Sequence, residues 1–215
     1  MLVTGASADA IEHRLGGWTN SAPSVEGVTV REGIEAAVSD DTTVTHEQGS
    51  GVRERANVDM ATEPAADADA AVVVLGEDAS IHEFIPTNMT VEHTSRVPTR
   101  SRLSLPAAQA GLLESVYETG TPTVLVTVTG RPLAVSWAAD HVPGILVAYY
   151  PCQRGGQAVG EVLFGERNPS GKLPVSVPRS TGPPRFNRQR KPWVLNEESF
   201  PPSYDPLFEF GHGES

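Results

Sequence analysis

The chain has 215 residues, enough for one substantial hydrophobic core and too few for two ordinary domains. Its 27 acidic residues exceed its 16 lysines and arginines by 11, so its surface field repels nucleic acid and anionic membranes. No apolar run approaches the roughly 20 residues of a membrane span, and we recognise no export signal. The lone cysteine, Cys152, excludes an intrachain disulfide and a cysteine-based metal cluster. We therefore expect a soluble protein without nucleic-acid or membrane partners; its compartment is undetermined, with the cytoplasm favoured.

Short β-branched runs bounded by Gly, Pro or Asp predict buried strands along the chain. Between these runs lie stretches with helical character, the third of which starts at a proline suited to a first helical turn. Such alternation predicts an α/β fold, a three-layer α/β/α sandwich with a mostly parallel sheet of about six strands. Ligands of such sheets usually bind beyond the carboxyl ends of the strands. The predicted strands are residues 2–4, 42–46, 71–75, 123–129, 144–149 and 173–177, and the predicted helices are residues 7–14, 31–38, 106–118 and 155–164.

Two stretches lack a regular period. Residues 77–102 contain Pro86 and Pro98 and predict a long loop after the third strand, and long ordered loops are often functional. Beyond Arg179 the sequence is rich in proline, which predicts an extended tail. We therefore divide the chain into an α/β domain over residues 1–180 and a tail over residues 181–215 that packs on the same domain.

Three motifs suggest cofactor chemistry, but each lacks a required part. The sequence TGAS at residues 4–7 is similar to the opening of a dinucleotide-binding domain, yet the later glycines of that motif are absent. Residues 165–172 imitate a phosphate-binding loop, but the spacing of the glycines is wrong and Leu173 replaces the Ser or Thr. His82, Glu83, Glu92 and His93 lack the helical spacing of paired zinc ligands. We predict no cofactor and no metal.

Several segments, in one order along the chain, resemble the C-terminal domain of family 3 glycoside hydrolases, in the β-glucosidase and exo-β-glucanase branch. The resemblance covers essentially the whole chain, and it implies the same three-layer fold. Near the start it rests on LVTG at residues 2–5, LGGWT at 15–19, and a strand followed by Gly76, Glu77 and Glu83. The strongest block contains GRPL at residues 130–133, ILVAYYP at 145–151, GGQA at 155–158, VLFG at 162–165, NPSGKLP at 168–174 and, later, PLFEFGHG at 206–213.

The chain also departs from the family pattern. Cys152 and Arg154 stand where the family usually has Gly and Glu. The large barrel domain that precedes this domain in the family is not part of the sequence. The resemblance therefore implies a partner, a family 3 barrel domain that is either carried by a separate chain or missing.

For the chemistry, the resemblance implies retaining hydrolysis of a β-linked glucoside or oligosaccharide. Retention needs two carboxyl groups about 5 to 5.5 Å apart, one attacking the anomeric carbon and one protonating the leaving oxygen. In the family the nucleophile is an Asp of the barrel, and in this branch the acid/base is a Glu in the loop after the third strand. Glu83 is our candidate for the acid/base, with Glu92 as the alternative. Trp18, in the GGWT segment, is the candidate for stacking on the sugar, although a core position is equally compatible with the sequence.

Two functions stay open at this point. In the first, the chain is a β-glycosidase domain that supplies an acid/base and part of a sugar subsite, and it is inactive without a barrel partner. In the second, it is a non-catalytic carbohydrate-binding or structural remnant of such an enzyme, as the residues at positions 152 and 154 suggest. Whether the chain is an enzyme by itself is left undecided by the sequence.

Overall fold

Five parallel strands form a single sheet in the part of the chain that the computed structural model describes, residues 1–16, 26–52, 57–77, 103–180 and 206–214. Their order in the sheet is β2-β1-β3-β4-β5, so the chain reverses its direction of travel across the sheet between β1 and β3. The strands are β1 (Leu2–Thr4), β2 (Thr45–Glu47), β3 (Ala71–Gly76), β4 (Thr123–Val128) and β5 (Gly144–Val147).

Both faces of this sheet are buried, which explains the nearly continuous apolar runs of β3 and β4. Leu2 pairs with Ala71 and Val3 with Val72. Successive residues of a strand point to opposite faces, so the two residues of each pair point to the same face. One face contributes Leu2, Val73, Leu75 and Leu125 to a hydrophobic cluster, and the other contributes Val3, Val72, Val74, Val126 and Val128 to a second cluster.

Helices cover each face. On the face of Val3, the buried side chains come from α1 (Val30–Ala37) and α5 (Gly155–Leu163). On the face of Leu2, they come from α2 (Asp59–Ala66), α3 (Ala107–Glu118) and α4 (Ser136–His141). The predicted three-layer α/β/α architecture is confirmed.

Helices α1 and α5 approach each other unusually closely, because glycines replace side chains at their contact. A Cβ atom at Gly33 would overlap the carbonyl of Gly156, and one at Gly160 would overlap the carbonyl of Gly33. The start of α1 is fixed by a capping box, in which the Thr29 hydroxyl accepts from the Glu32 N–H at 3.2 Å and the Glu32 carboxylate accepts from the Thr29 N–H at 2.8 Å.

Some predicted elements differ from the observed ones. Residues 173–177 form no sheet strand; Pro174 lacks an N–H donor, and Val177 makes only an isolated antiparallel bridge with Phe208. The described sheet therefore has five strands instead of about six. Residues 7–14 form only a short 3-10 helix, Glu12–Arg14, because the Ser7 N–H bonds the Val74 carbonyl and holds the chain against β3.

The remaining predictions on organisation are partly outside the described residues. The tail boundary at residue 180 coincides with the last residue before an undescribed stretch, so the packing of the tail stays a prediction. Within the described ranges, no helix has the length and apolar character needed to cross a bilayer.

Candidate functional site at the carboxyl edge of the sheet

Polar side chains gather where β1, β3 and β4 end. In a parallel sheet these ends lie on one edge, and the reversal of strand order between β1 and β3 opens a crevice there. Ser7 and His13 follow β1, Glu77 follows β3, and Thr129 and Arg131 follow β4. In open parallel sheets this is the edge at which ligands usually bind.

The last residue of β3 is held on two sides. Gly76 has φ +154°, and a Cβ atom there would overlap the Val128 carbonyl of β4, so only glycine fits. The buried side-chain amide of Gln109, from α3, accepts from the Gly76 N–H at 2.7 Å and donates to the Gly76 carbonyl at 2.8 Å. It also donates to the Val52 carbonyl at 2.8 Å. Gln109 thereby fixes the point at which the chain leaves β3.

Glu77 forms a bidentate ion pair with Arg131 directly beyond that point. The Arg131 Nε donates to Glu77 Oε2 at 2.7 Å, and its Nη2 donates to Glu77 Oε1 at 2.6 Å. The Glu77 side chain is 0% exposed and the Arg131 side chain 18% exposed. Thr129 accepts from the Arg131 N–H at 3.3 Å, and its hydroxyl lies 3.5 Å from Glu77 Oε2. Both carboxylate oxygens of Glu77 accept from the guanidinium, so this residue is arranged as an anchor and not as a proton donor.

A small apolar pocket adjoins the ion pair. The hydroxyl oxygen of Tyr149, one of its lining residues, is buried without a hydrogen-bond partner in the described part of the chain, and burial raises the pKa of this phenol. The backbone of Tyr149 is left-handed, with φ +52°. The pocket is lined by Thr127, Thr129, Arg131, Pro132, Leu133, Val135, Val147, Tyr149, Val177 and Phe208.

The segment after β1 contributes a Ser–His contact. The buried Ser7 hydroxyl lies 3.2 Å from His13 Nδ1, and the Ser7 N–H donates to the Val74 carbonyl at 3.2 Å. His13 is therefore held beside the end of β3, shortly before the GGWT segment. No motif in the sequence indicated this pair; the position of Ser7 three residues beyond a buried strand is the signal that points to it.

Arg14 is the largest fully buried side chain of the described residues. Its Nη1 donates to the Val28 carbonyl, whereas its Nε and Nη2 have no hydrogen-bond partner within the described ranges. Burial lowers the pKa of this guanidinium, and the charges of Glu32 and Glu12 raise it. The Arg14 carbonyl accepts from the Cys152 N–H at 3.2 Å, which brings a residue that departs from the family pattern next to Arg14.

The three residues predicted for the site, Glu83, Glu92 and Trp18, lie outside the described residues, as do the other members of the weighed metal cluster. What the structure describes is where their segments begin. In the sequence, Glu83 lies six residues beyond Glu77. Among the residues that the structure describes, no group of three His, Cys, Asp or Glu side chains could hold a metal ion.

Two functional roles escaped the sequence analysis. Gln109 lies in a predicted helix, and the GRPL motif, which contains Arg131, resembles the family pattern, but nothing in the sequence assigned contacts to either residue. Their partners are 33 and 54 residues away in the chain, so local patterns carry no information about them.

Comparison with known proteins places this arrangement in a family. The sequence matches the family described as "Glycosyl hydrolase family 3 C-terminal domain" over residues 1–215. It is 30% identical to a periplasmic β-glucosidase of Salmonella typhimurium, over 99% of this chain and 30% of the relative. It is also 30% identical to a β-xylosidase of Formosa agariphila, over 94% of this chain and 27% of the relative.

Solved structures give the same result for the fold. A β-glucosidase from Erythrobacter marinus matches with a TM-score of 0.81 at 30% identity, covering 99% of this chain and 30% of that one. A β-glucosidase from Listeria innocua in complex with isofagomine matches with a TM-score of 0.75 at 25% identity, covering 99% of this chain and 29% of that one. The chain thus spans less than a third of the length of these relatives.

Proposed function

This chain belongs to the glycosyl hydrolase family 3 C-terminal domain family, and on that premise we propose that it supplies the acid/base carboxyl group and part of a sugar subsite to a retaining β-glycosidase. The observation that carries the proposal is the match over the whole chain to relatives named as β-glucosidases and β-xylosidases. The substrate is a β-linked glucoside or oligosaccharide. A family 3 barrel domain supplies the nucleophile.

Glu83 is the proposed acid/base. In the first step its carboxyl group gives a proton to the leaving glycosidic oxygen while the nucleophile of the barrel bonds to the anomeric carbon. In the second step the Glu83 carboxylate takes a proton from the water that hydrolyses the glycosyl-enzyme. The proposal is supported by the anchored exit from β3, because Gly76 and Glu77 fix the start of the segment that carries Glu83 at the edge where ligands of such sheets bind.

Trp18 is the proposed sugar-binding residue. In the sequence it lies two residues beyond Gly16, in the segment that follows β1. An indole face can stack on the apolar face of a pyranose, so this residue would orient the sugar next to the acid/base. Glu92 is the alternative acid/base, since it lies in the same segment between β3 and α3.

The test is a leaving-group experiment on this chain combined with a family 3 barrel domain. Glu83→Ala removes the proton donor, so cleavage of a β-linked disaccharide should fall by about 100-fold or more, because its leaving group needs protonation. An aryl glucoside with a dinitrophenolate leaving group departs without a proton, so its glycosylation step should be largely spared. Added azide needs no general base and should rescue turnover, forming a β-glycosyl azide.

The matched variant is Glu92→Ala, a carboxylate of the same segment. It should leave both substrates within about twofold of wild type, well below the effect of a lost general acid. If Glu92→Ala shows the leaving-group pattern and Glu83→Ala does not, the roles of the two carboxylates are reversed. If neither variant shows it, the chain supplies no acid/base.

A second function is favoured by one observation, the arginine that precedes α5. Arg154 is the residue immediately before α5 and donates to Gln157 at 3.4 Å, at a position where helices prefer an acceptor side chain and where the family pattern has Glu. A chain that has lost such residues could serve as a non-catalytic carbohydrate-binding or structural remnant. Normal sugar binding combined with wild-type behaviour of both Glu variants would support this function over the first.

A further inference from the structure

The Glu77–Arg131 ion pair is the most strongly held polar group at the carboxyl edge. Two parallel hydrogen bonds of 2.6 and 2.7 Å join the carboxylate to the guanidinium, and the carboxylate is fully removed from solvent. Bidentate pairs of this kind fix direction as well as distance, since the two planar groups can meet in only a few orientations.

The pair lies at a point where the backbone is already fixed. The Glu77 N–H donates to the Val128 carbonyl at 2.9 Å, and Gln109 holds Gly76 through both its N–H and its carbonyl. The ladder between β3 and β4 runs without interruption to Gly76 and Val128. The backbone bonds therefore complete the pairing of β3 and β4 without the ion pair. The ion pair acts on the first residue beyond the sheet, Glu77.

A buried ion pair is a costly way to add stability alone. Removing two charges from water opposes the gain from their attraction, and apolar residues of similar size often replace such a pair without loss of stability. An apolar replacement at Glu77 and Arg131 would not reproduce the fixed orientation of the fork. What distinguishes this pair from an apolar contact is thus the direction it imposes on the chain.

We propose that Glu77 and Arg131 are positioning residues for the acid/base, because their buried bidentate pair sets the direction in which the chain leaves β3 toward Glu83. The inference rests on the function proposed above for Glu83. Neither residue exchanges a proton with the substrate. Their effect passes through the five residues that connect Glu77 to Glu83.

The first test uses the chain by itself and the double variant Glu77→Met/Arg131→Met, which removes the fork but keeps an apolar contact. Its melting temperature should stay within about 4 °C of wild type, equivalent to about 1 kcal/mol. Amide hydrogen exchange over residues 78–83 should nevertheless accelerate at least about tenfold. Unchanged exchange over these residues in a folded double variant would overturn the proposal.

Glu77→Gln serves if the double variant does not fold. It keeps the size and shape of the side chain but puts an amide donor against the guanidinium, so one of the two parallel bonds is lost. It should accelerate exchange over the same residues. The control is Glu161→Gln, which breaks the pair with Arg167, a residue that is 74% exposed and lies just beyond α5. This control should leave exchange over residues 78–83 unchanged, and acceleration by the control as well would contradict a specific role of the buried pair.

The second test measures catalysis by the chain combined with a family 3 barrel domain. In the variants of the pair, a displaced acid/base should lower kcat for a β-linked disaccharide about tenfold, which is less than the loss of a general acid costs. KM should stay within twofold, and glycosylation by the dinitrophenyl glucoside should be nearly unchanged. An equal loss on both substrates would show a merely structural role and overturn the proposal. Glu83→Ala in the same enzyme separates the two hypotheses: if it lacks the leaving-group pattern, the function proposed for Glu83 fails, whereas the exchange experiment still decides whether the pair directs the chain.

Discussion

Tyr149, two residues beyond the end of β5, carries a buried hydroxyl. Because this hydroxyl is ionisable, we expect it to make the stability of the protein depend on pH. Burial raises the pKa of the phenol in the folded protein above its ordinary value of 10.0, so folding favours the neutral form. The sign follows directly: the neutral phenol is present in both states below pH 10, and stability is lost as the pH rises above 10 toward the folded pKa. Stability at neutral pH is unaffected by this ionisation.

Tyr149→Phe removes the ionisable group and should remove this loss. Near pH 7 its free energy of unfolding should lie within about 1 kcal/mol of wild type, because the hydroxyl has no hydrogen-bond partner in the described part of the chain. Between pH 10 and 11, wild type should lose stability relative to the variant. Urea unfolding at pH 7, 10 and 11 measures the difference, and curves that stay parallel up to pH 11 would show that the phenol ionises equally in both states.

At the scale of secondary-structure elements, the contact between α1 and α5 depends on the absence of side chains. Gly33→Ala would place a methyl group on the Gly156 carbonyl, so the two helices must separate. We expect a loss of at least about 2 kcal/mol in the free energy of unfolding, as for an overpacked core.

The matched control is Gly111→Ala, in α3, where an added Cβ meets no atom within 4 Å. Because alanine is the better helix former, this change should stabilise the protein by up to about 1 kcal/mol. Urea unfolding of both variants gives the comparison. Equal effects of the two substitutions would mean that the close helix contact does not contribute to stability.

The sequence predicted the elements whose patterns are strong and missed those whose patterns are weak. β3 and β4 are buried on both faces and therefore show continuous apolar runs. Helix α2 contains Pro64, and α4 has only six residues, so neither shows a clear helical period. The expected strand over residues 173–177 has a suitable composition, but its partner near Phe208 allows only one bridge.

The site was predictable only in its location. A family resemblance and the end of a strand pointed to Glu77 as the start of the functional segment. The partner of Glu77 was not predictable, because Arg131 follows the neighbouring strand and is close to it only after β3 and β4 have paired. The assignments of Glu83, Glu92 and Trp18 remain predictions.

At the scale of the whole molecule, the chain covers 30% of the Salmonella β-glucosidase and 27% of the Formosa β-xylosidase. This partial coverage leads to a prediction about the activity of the isolated chain. The double displacement proposed above requires a nucleophile, and the proposed function assigns this nucleophile to a barrel domain outside this sequence. We expect the isolated chain to hydrolyse an aryl β-glucoside no faster than a heat-denatured sample. The measurement is the release of the phenolate at high protein concentration. Turnover by pure protein that survives in Glu83→Ala would place the reacting groups elsewhere in this chain.

The strand order also determines when this protein can fold during synthesis. β1 lies between β2 and β3, and its residue Leu2 pairs with Thr45 and with Ala71. Within this domain β1 is synthesised before β2 and β3, so it waits for β3 before both of its edges are paired, at a stage when α1 with its capping box is already complete. An apolar strand with two open edges is a site for wrong pairing with other chains. In this architecture the exposure of β1 to wrong pairing ends only when β3 has been made.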